Sequence, residues 1–176
     1  MQINDKEFEI FITAEQIDSR VKTLGKEINE AYQDKNPLFL SVLNGAFMFS
    51  SDLMKEVHIR SEISFVKFSS YESMESTGSV QKMIGLKENL SGRHLVVIED
   101  IVDTGNTMAY FLKLLAKEKP ASVEIATLLF KPQALKHPLQ LKYVGFEIPP
   151  KFVVGYGLDY DGYGRNLKDI YQLKLN

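Results

Sequence analysis

A short β-branched run, Leu95-Val96-Val97-Ile98, gives way to Glu99-Asp100-Ile101-Val102-Asp103-Thr104-Gly105-Asn106-Thr107 and then at once to a helical stripe. The run is too short for a helix and reads as a buried strand. Met108, Phe111, Leu112 and Leu115 fall at i, i+3, i+4 and i+7, one face of a helix. A strand, a tight Thr-Gly loop and a helix in that order aim free backbone N–H groups and the positive end of the helix dipole at an anion. Thr104 and Thr107 add hydroxyl donors, and Gly105 allows close approach of the backbone. The loop carries neither G-x-x-x-x-G-K-S/T nor G-x-G-x-x-G, which excludes a nucleoside triphosphate P-loop and the dinucleotide fingerprint.

The acids sharpen this reading. Carboxylates beside a phosphate repel it unless they have other work. Glu99, Asp100 and Asp103 could accept from ribose hydroxyls, hold a divalent cation against the phosphates, or take a proton. For an isolated Asp-Thr-Gly, a plain turn is an equal account. An acidic block set between strand and helix points instead to a sugar phosphate with Mg²⁺.

The rest of the chain fits an α/β fold with a mostly parallel sheet. Thr13-Ala14-Glu15-Gln16 has capping-box form, and Ile17, Val21, Leu24 and Ile28 continue as one helical face. Strands are expected over Leu38–Leu43, Ile63–Phe68, Val123–Phe130 and Leu141–Phe146, and a helix over Gly45–Met54. Residues 71–81 are polar and lack apolar periodicity, the pattern of a mobile loop. Ligands of such sheets bind beyond the carboxyl ends of the strands, where the Glu99 loop, Asn44-Gly45 and Lys131 would all lie. The 176 residues are one domain's worth, and residues 1–176 are read as a single domain. A net charge of −2 gives no support to nucleic-acid or acidic-membrane binding. Absence of cysteine excludes disulfides, thiolate zinc sites and a cysteine nucleophile. His58, His94 and His137 lack metal-ligand spacing and are read as structural or surface residues. The start of the chain is unlike a signal peptide, and no apolar run nears the roughly 18 residues needed to span a bilayer, so the default location is cytoplasmic.

The segment 97–107 resembles the phosphoribosyl-pyrophosphate loop of the type I phosphoribosyltransferases. Within that family, Val144-Gly145-Phe146-Glu147-Ile148-Pro149-Pro150-Lys151-Phe152-Val153-Val154-Gly155-Tyr156-Gly157-Leu158-Asp159-Tyr160 is similar to the purine-binding end of the 6-oxopurine branch, which acts on hypoxanthine and guanine. The similarity runs from about Pro37 to Arg165. It implies the type I fold, with a mostly parallel central sheet flanked by helices and a small hood formed by chain-terminal segments. It also implies Mg²⁺-dependent transfer of the 5-phosphoribosyl group to N9 of a 6-oxopurine, releasing pyrophosphate.

By that resemblance Asp103 is the general base for the purine N7 proton. Read alone, it also suits the N-cap of the following helix, a reading compatible with the catalytic one and weaker than it. Glu99 and Asp100 would meet the ribose hydroxyls and a metal ion, with Asp159 a further metal-associated carboxylate. Thr104, Gly105, Asn106 and Thr107 would cradle the 5′-phosphate, Asn106 mainly through its backbone N–H. Lys131 would donate to the exocyclic oxygen at C6. Phe152 would stack on the base, although Phe-Val-Val also reads as a buried strand, and Val153 would contact the base through its backbone. Arg165 would reach pyrophosphate. Leu43-Asn44-Gly45 matches the pyrophosphate loop, where the family places a non-proline cis peptide and many relatives carry lysine in place of Asn44. Ser70-Tyr71 matches the start of a loop that closes over the reacting groups. The resemblance further implies a homodimer or homotetramer. Two other readings stay open: a regulatory protein that keeps the fold without catalysis, and a transferase acting on xanthine or a pyrimidine.

Overall fold

The computed structural model describes residues 1–71 and 80–174. Five parallel strands form its centre: β3 (Leu38–Leu43), β4 (Glu62–Tyr71), β6 (His94–Val102), β7 (Ser122–Phe130) and β8 (Tyr143–Glu147). β5 (Val80–Ile84) pairs antiparallel with β4 and closes one edge, giving the order β5-β4-β3-β6-β7-β8. Apolar runs without alternation are what a sheet covered on both faces requires. Phe39, Val96, Ile98 and Ala126 pack on one side with helices α1 (Ala14–Tyr32) and α2 (Phe47–Glu56). Leu38, Leu40, Leu95 and Val97 pack on the other with α3 (Asn106–Lys117).

Helix α1 starts as its sequence demands. Thr13 Oγ1 accepts from Gln16 N at 3.3 Å, and Gln16 Oε1 accepts from Thr13 N at 2.9 Å. Its buried stripe is Ile17, Val21, Leu24, Ile28 and Tyr32, each large apolar side chain contributing about 1.5–3 kcal/mol on burial. Helix α2 runs Phe47–Glu56 rather than from Gly45, because Asn44 to Ala46 form the loop after β3. β8 begins at Tyr143, two residues later than expected.

The hood is a second sheet, of order β1-β2-β10-β9, built from β1 (Gln2–Ile3), β2 (Lys6–Ile12), β9 (Val153–Val154) and β10 (Ile170–Leu173). Both ends of the chain contribute, and Ile3, Phe8 and Val154 form its small core. The expectation of a polar loop over residues 71–81 needs correction at its ends. Tyr71 pairs with Val80 and Ser70 with Gln81, extending an antiparallel ladder whose backbone bonds need no apolar side chains. The remainder of that expectation, residues 72–79, lies outside the described residues.

Candidate active site

The carboxyl ends of β3, β6 and β7 meet at one edge, and the ligand-binding candidates gather there. β6 ends at Val102, and Gly105 (φ 79°) is the N-cap of α3. This left-handed conformation suits glycine. A Cβ on Gly105 would also stand 2.9 Å from methyl groups of Leu135 and Leu139. Asp103 is therefore not the helix cap, which removes one of its two sequence readings. Asp103, Thr104, Gly105, Asn106 and Thr107 line an open cavity of about 100 Å³ together with the end of β6. At the start of α3 the first N–H groups have no helical partner, so this cavity favours an anion. The Asn106 N–H leans on Thr104 Oγ1 at a long 3.4 Å.

Beside the cavity, Lys131 Nζ donates to Asp103 Oδ2 at 2.7 Å. Lys131 is 8% exposed, while its N–H donates to Val102 O at 2.9 Å, tying the end of β7 to β6. The Asp103 side chain is 47% exposed, so the pair has one covered end and one open end. A proton acceptor and a cationic donor thus sit in contact at the mouth of an anion cavity.

Glu99 and Asp100 are held differently. Glu99 Oε2 is buried with no hydrogen-bond partner. Burial, reinforced by the adjacent Asp100 carboxylate, holds the Glu99 carboxyl well above the usual carboxylate range. Burial also raises Asp100, against the opposing pull of hydrogen bonds from Glu99 and the Ile101 N–H and of the Arg165 charge. Ile101 N donates to Asp100 Oδ1 at 2.8 Å. An orphaned carboxylate oxygen facing this edge suits a cation or a hydroxyl donor. Mg²⁺ characteristically takes one or two carboxylates and completes its shell with water and substrate phosphates, so Glu99 and Asp100 fit it.

The pyrophosphate-loop candidates pack against that acid pair. The Leu43–Asn44 peptide is cis, as the family match implied. A Cβ on Gly45 would collide with Asp100 Oδ2, and Gly157 packs directly on the Gly45 carbonyl. Arg165 Nη1 donates to Gly157 O at 2.7 Å, and Arg165 Nη2 is 2.6 Å from Asp159 Oδ1. Asp159 Oδ2 accepts from Gly162 N at 2.7 Å. Asp159 is thus anchored by Arg165 and by the Gly162 N–H, with a lone pair left on each oxygen. Among the described residues no three His, Asp or Glu side chains converge to hold a metal.

Phe152 is 44% exposed rather than buried in a strand. Its ring meets Tyr160 edge-on at 5.8 Å and Phe8 at 6.3 Å, with Lys6 Nζ 5.7 Å from its centre. These are hood contacts, so Phe152 stands on the hood and Lys131 on the sheet. Phe152 O accepts from Leu173 N at 2.9 Å, and alternation turns the Val153 backbone groups toward the free edge of the hood sheet. Ser70 and Tyr71 lie in β4, where they pair with Gln81 and Val80 of β5. Sequence reasoning missed His137, whose Nε2 is 2.7 Å from Asn106 Oδ1. It also missed the N–H of Lys136, which donates to Thr104 O at 2.9 Å. No local pattern signals either contact.

A parallel sheet with an anion loop after one strand, an acid pair at its mouth and a hood made from chain ends defines a class. The model of the phosphoribosyl transferase domain matches residues 13–161, and the chain belongs to that family, with the type I fold. Its relatives are specific in kind. Hypoxanthine-guanine phosphoribosyltransferase of Bacillus subtilis (strain 168) is 43% identical over 166 residues, covering 94% of this chain and 92% of that protein. The protein of the same name from Staphylococcus aureus (strain N315) is 42% identical over 167 residues, covering 94% and 93%. A hypoxanthine phosphoribosyltransferase from Trypanosoma cruzi, solved as a mutant in a ternary substrates complex, matches with a TM-score of 0.88 at 35% identity, over 98% of this chain and 97% of that one.

Proposed function

We propose that the protein is a purine-salvage transferase that moves the 5-phosphoribosyl group from phosphoribosyl pyrophosphate to N9 of hypoxanthine or guanine. The products are IMP or GMP and pyrophosphate. The observation that carries this reading is the 2.7 Å contact between Asp103 and Lys131 at the rim of the anion cavity. A 6-oxopurine offers both groups a partner at once: an acidic N7–H for the carboxylate and an exocyclic oxygen for the ammonium.

Each residue then has a task. The amides and hydroxyls of Thr104 to Thr107 hold the 5′-phosphate, and Glu99 and Asp100 accept from the ribose hydroxyls. Bound Mg²⁺ would neutralise charge on the departing pyrophosphate, held by these carboxylates and the substrate's own oxygens. Asp159 orients Arg165, which faces the pyrophosphate beside the Asn44-Gly45 loop. Asp103 takes the N7 proton as N9 attacks the sugar carbon. Lys131 and the Val153 backbone fix the plane of the base, and Phe152 stacks on it when the hood settles.

The protein works in the cytoplasm. Among the described residues no helix is long and apolar enough to cross a membrane. It works as a homo-oligomer: Ile63 and Phe65 lie exposed on one face of β4, and Phe47 is exposed where α2 leaves the Asn44-Gly45 loop. The test is initial rates with phosphoribosyl pyrophosphate and Mg²⁺, offering hypoxanthine, guanine, xanthine, adenine and uracil in turn. Turnover of hypoxanthine or guanine that stops on chelating Mg²⁺ is the expected result. Turnover of adenine or uracil alone would overturn the assignment of Lys131, and no turnover of any base would favour a non-catalytic binding protein.

A further inference from the structure

The loop that follows Lys131 does more than carry the lysine. It turns through Pro132–Ala134 and then braces the phosphate loop at successive points. Lys136 N donates to Thr104 O at 2.9 Å. Leu135 and Leu139 fill the space beside Gly105, each with a methyl group 2.9 Å from where a Cβ would stand. His137 reaches Asn106, the first residue of α3 and part of the cavity lining, at 2.7 Å from Nε2 to Oδ1.

An amide oxygen only accepts, so His137 Nε2 carries the proton in this contact. In this arrangement the Asn106 amide has its oxygen on the ring. An unrestrained asparagine at this position could turn either end toward the cavity, and its oxygen would repel a phosphate. With the oxygen held by His137, the free end of the amide is Nδ2, which has two donors. The backbone N–H of Asn106 is already engaged, if weakly, by Thr104 Oγ1 at 3.4 Å. The side chain is thus a further donor on a residue that lines the cavity.

We propose that His137 is a positioning residue for the 5′-phosphate: it holds Asn106 Oδ1 and so turns the Asn106 side-chain N–H groups onto the anion. The proposal rests on the phosphoribosyl reading of this cavity and goes beyond it, since it assigns a role to the Asn106 side chain and to a histidine thirty-one residues away. The brace starts at Lys131, so one loop sets both the base donor and the phosphate donor.

The test is a double-mutant cycle read in KM. His137→Ala raises KM for phosphoribosyl pyrophosphate about tenfold, the weight of one charge-assisted hydrogen bond, and leaves KM for hypoxanthine within about twofold. His137→Gln, which keeps an N–H donor, recovers most of the loss. In an Asn106→Ala background, His137→Ala adds less than about twofold, because its effect passes through that amide. The proposal is overturned if His137→Ala leaves KM for phosphoribosyl pyrophosphate unchanged. It is equally overturned if both KM values rise together and Gln fails to rescue, or if the two substitutions act independently. Failure of the wild-type protein to use phosphoribosyl pyrophosphate would instead overturn the transferase reading itself.

Discussion

Asp103 and Glu99 lie four residues apart near the end of one strand, yet the fold treats their charges in opposite ways. Asp103 is half open to solvent and paired with Lys131. Glu99 has a buried oxygen with no partner, beside the partly buried Asp100 carboxylate. The first arrangement is balanced without a ligand. The second is not, and burying an unpaired polar group is costly. The lesson is that Asp103 must exchange one partner for another when the base arrives, whereas Glu99 Oε2 gains a partner only when the sugar and cation arrive. One carboxylate is poised for chemistry, and the other stores an unmet need that binding satisfies.

The largest effect should come from removing the balanced member. Asp103→Asn keeps the shape and loses the proton acceptor, so kcat should fall by about 10²- to 10⁴-fold. Steady-state rates with hypoxanthine check this, and a fall below tenfold would place the proton elsewhere. Next in size is Gly45→Ala. The new methyl group would collide with Asp100 Oδ2 and push the acid pair away from the sugar. Displacement of that order costs about a hundredfold in kcat/KM for phosphoribosyl pyrophosphate. Unchanged kinetics would show that Asp100 can move aside freely. Lys131→Met should raise KM for hypoxanthine by about 10- to 100-fold through loss of a charged donor, and should narrow the preference over adenine. Its cost to folding should be small, because Asp103 is 47% exposed and solvent screens the pair.

How much of this was legible depends on distance along the chain. The strand, acidic loop and helix at residues 95–117 could be read directly, because a period-free apolar run and a helical stripe adjoin. The capping box at Thr13 was equally local. The shape of the hood came from family likeness, since nothing near β2 says that it pairs with β10 at the other end of the chain. Asp159 illustrates a different limit. The resemblance alone gives it a metal role, and its contacts to Arg165 and the Gly162 N–H depend on how residues 157–165 fold back, which no local pattern encodes. His137 was set aside because spacing alone bears on metal ligands, not on a hydrogen bond to a loop 31 residues upstream.

The smallest predicted effect probes the unbalanced member directly. Glu99→Gln replaces an orphaned acid with an amide whose N–H can donate to Asp100, much as a shared proton does. The folded-state pKa of Glu99 is raised above 4.5, so folding favours its neutral form. The unliganded wild-type protein should therefore lose stability as pH rises from about 4.5 through that raised value, and it should not lose more beyond it. Glu99→Gln removes this slope and should be more stable at neutral pH by on the order of 1 kcal/mol. Ligand should reverse the ranking, since the ionised acid accepts through both oxygens and brings the negative charge that Mg²⁺ requires, whereas the amide has one acceptor and no charge. Thermal melts of both proteins across pH 4–8, with and without phosphoribosyl pyrophosphate and Mg²⁺, read both halves of the prediction. A Glu99→Gln protein that is less stable without ligand would mean that Glu99 is already satisfied. The contrast with Asp103 would then fail.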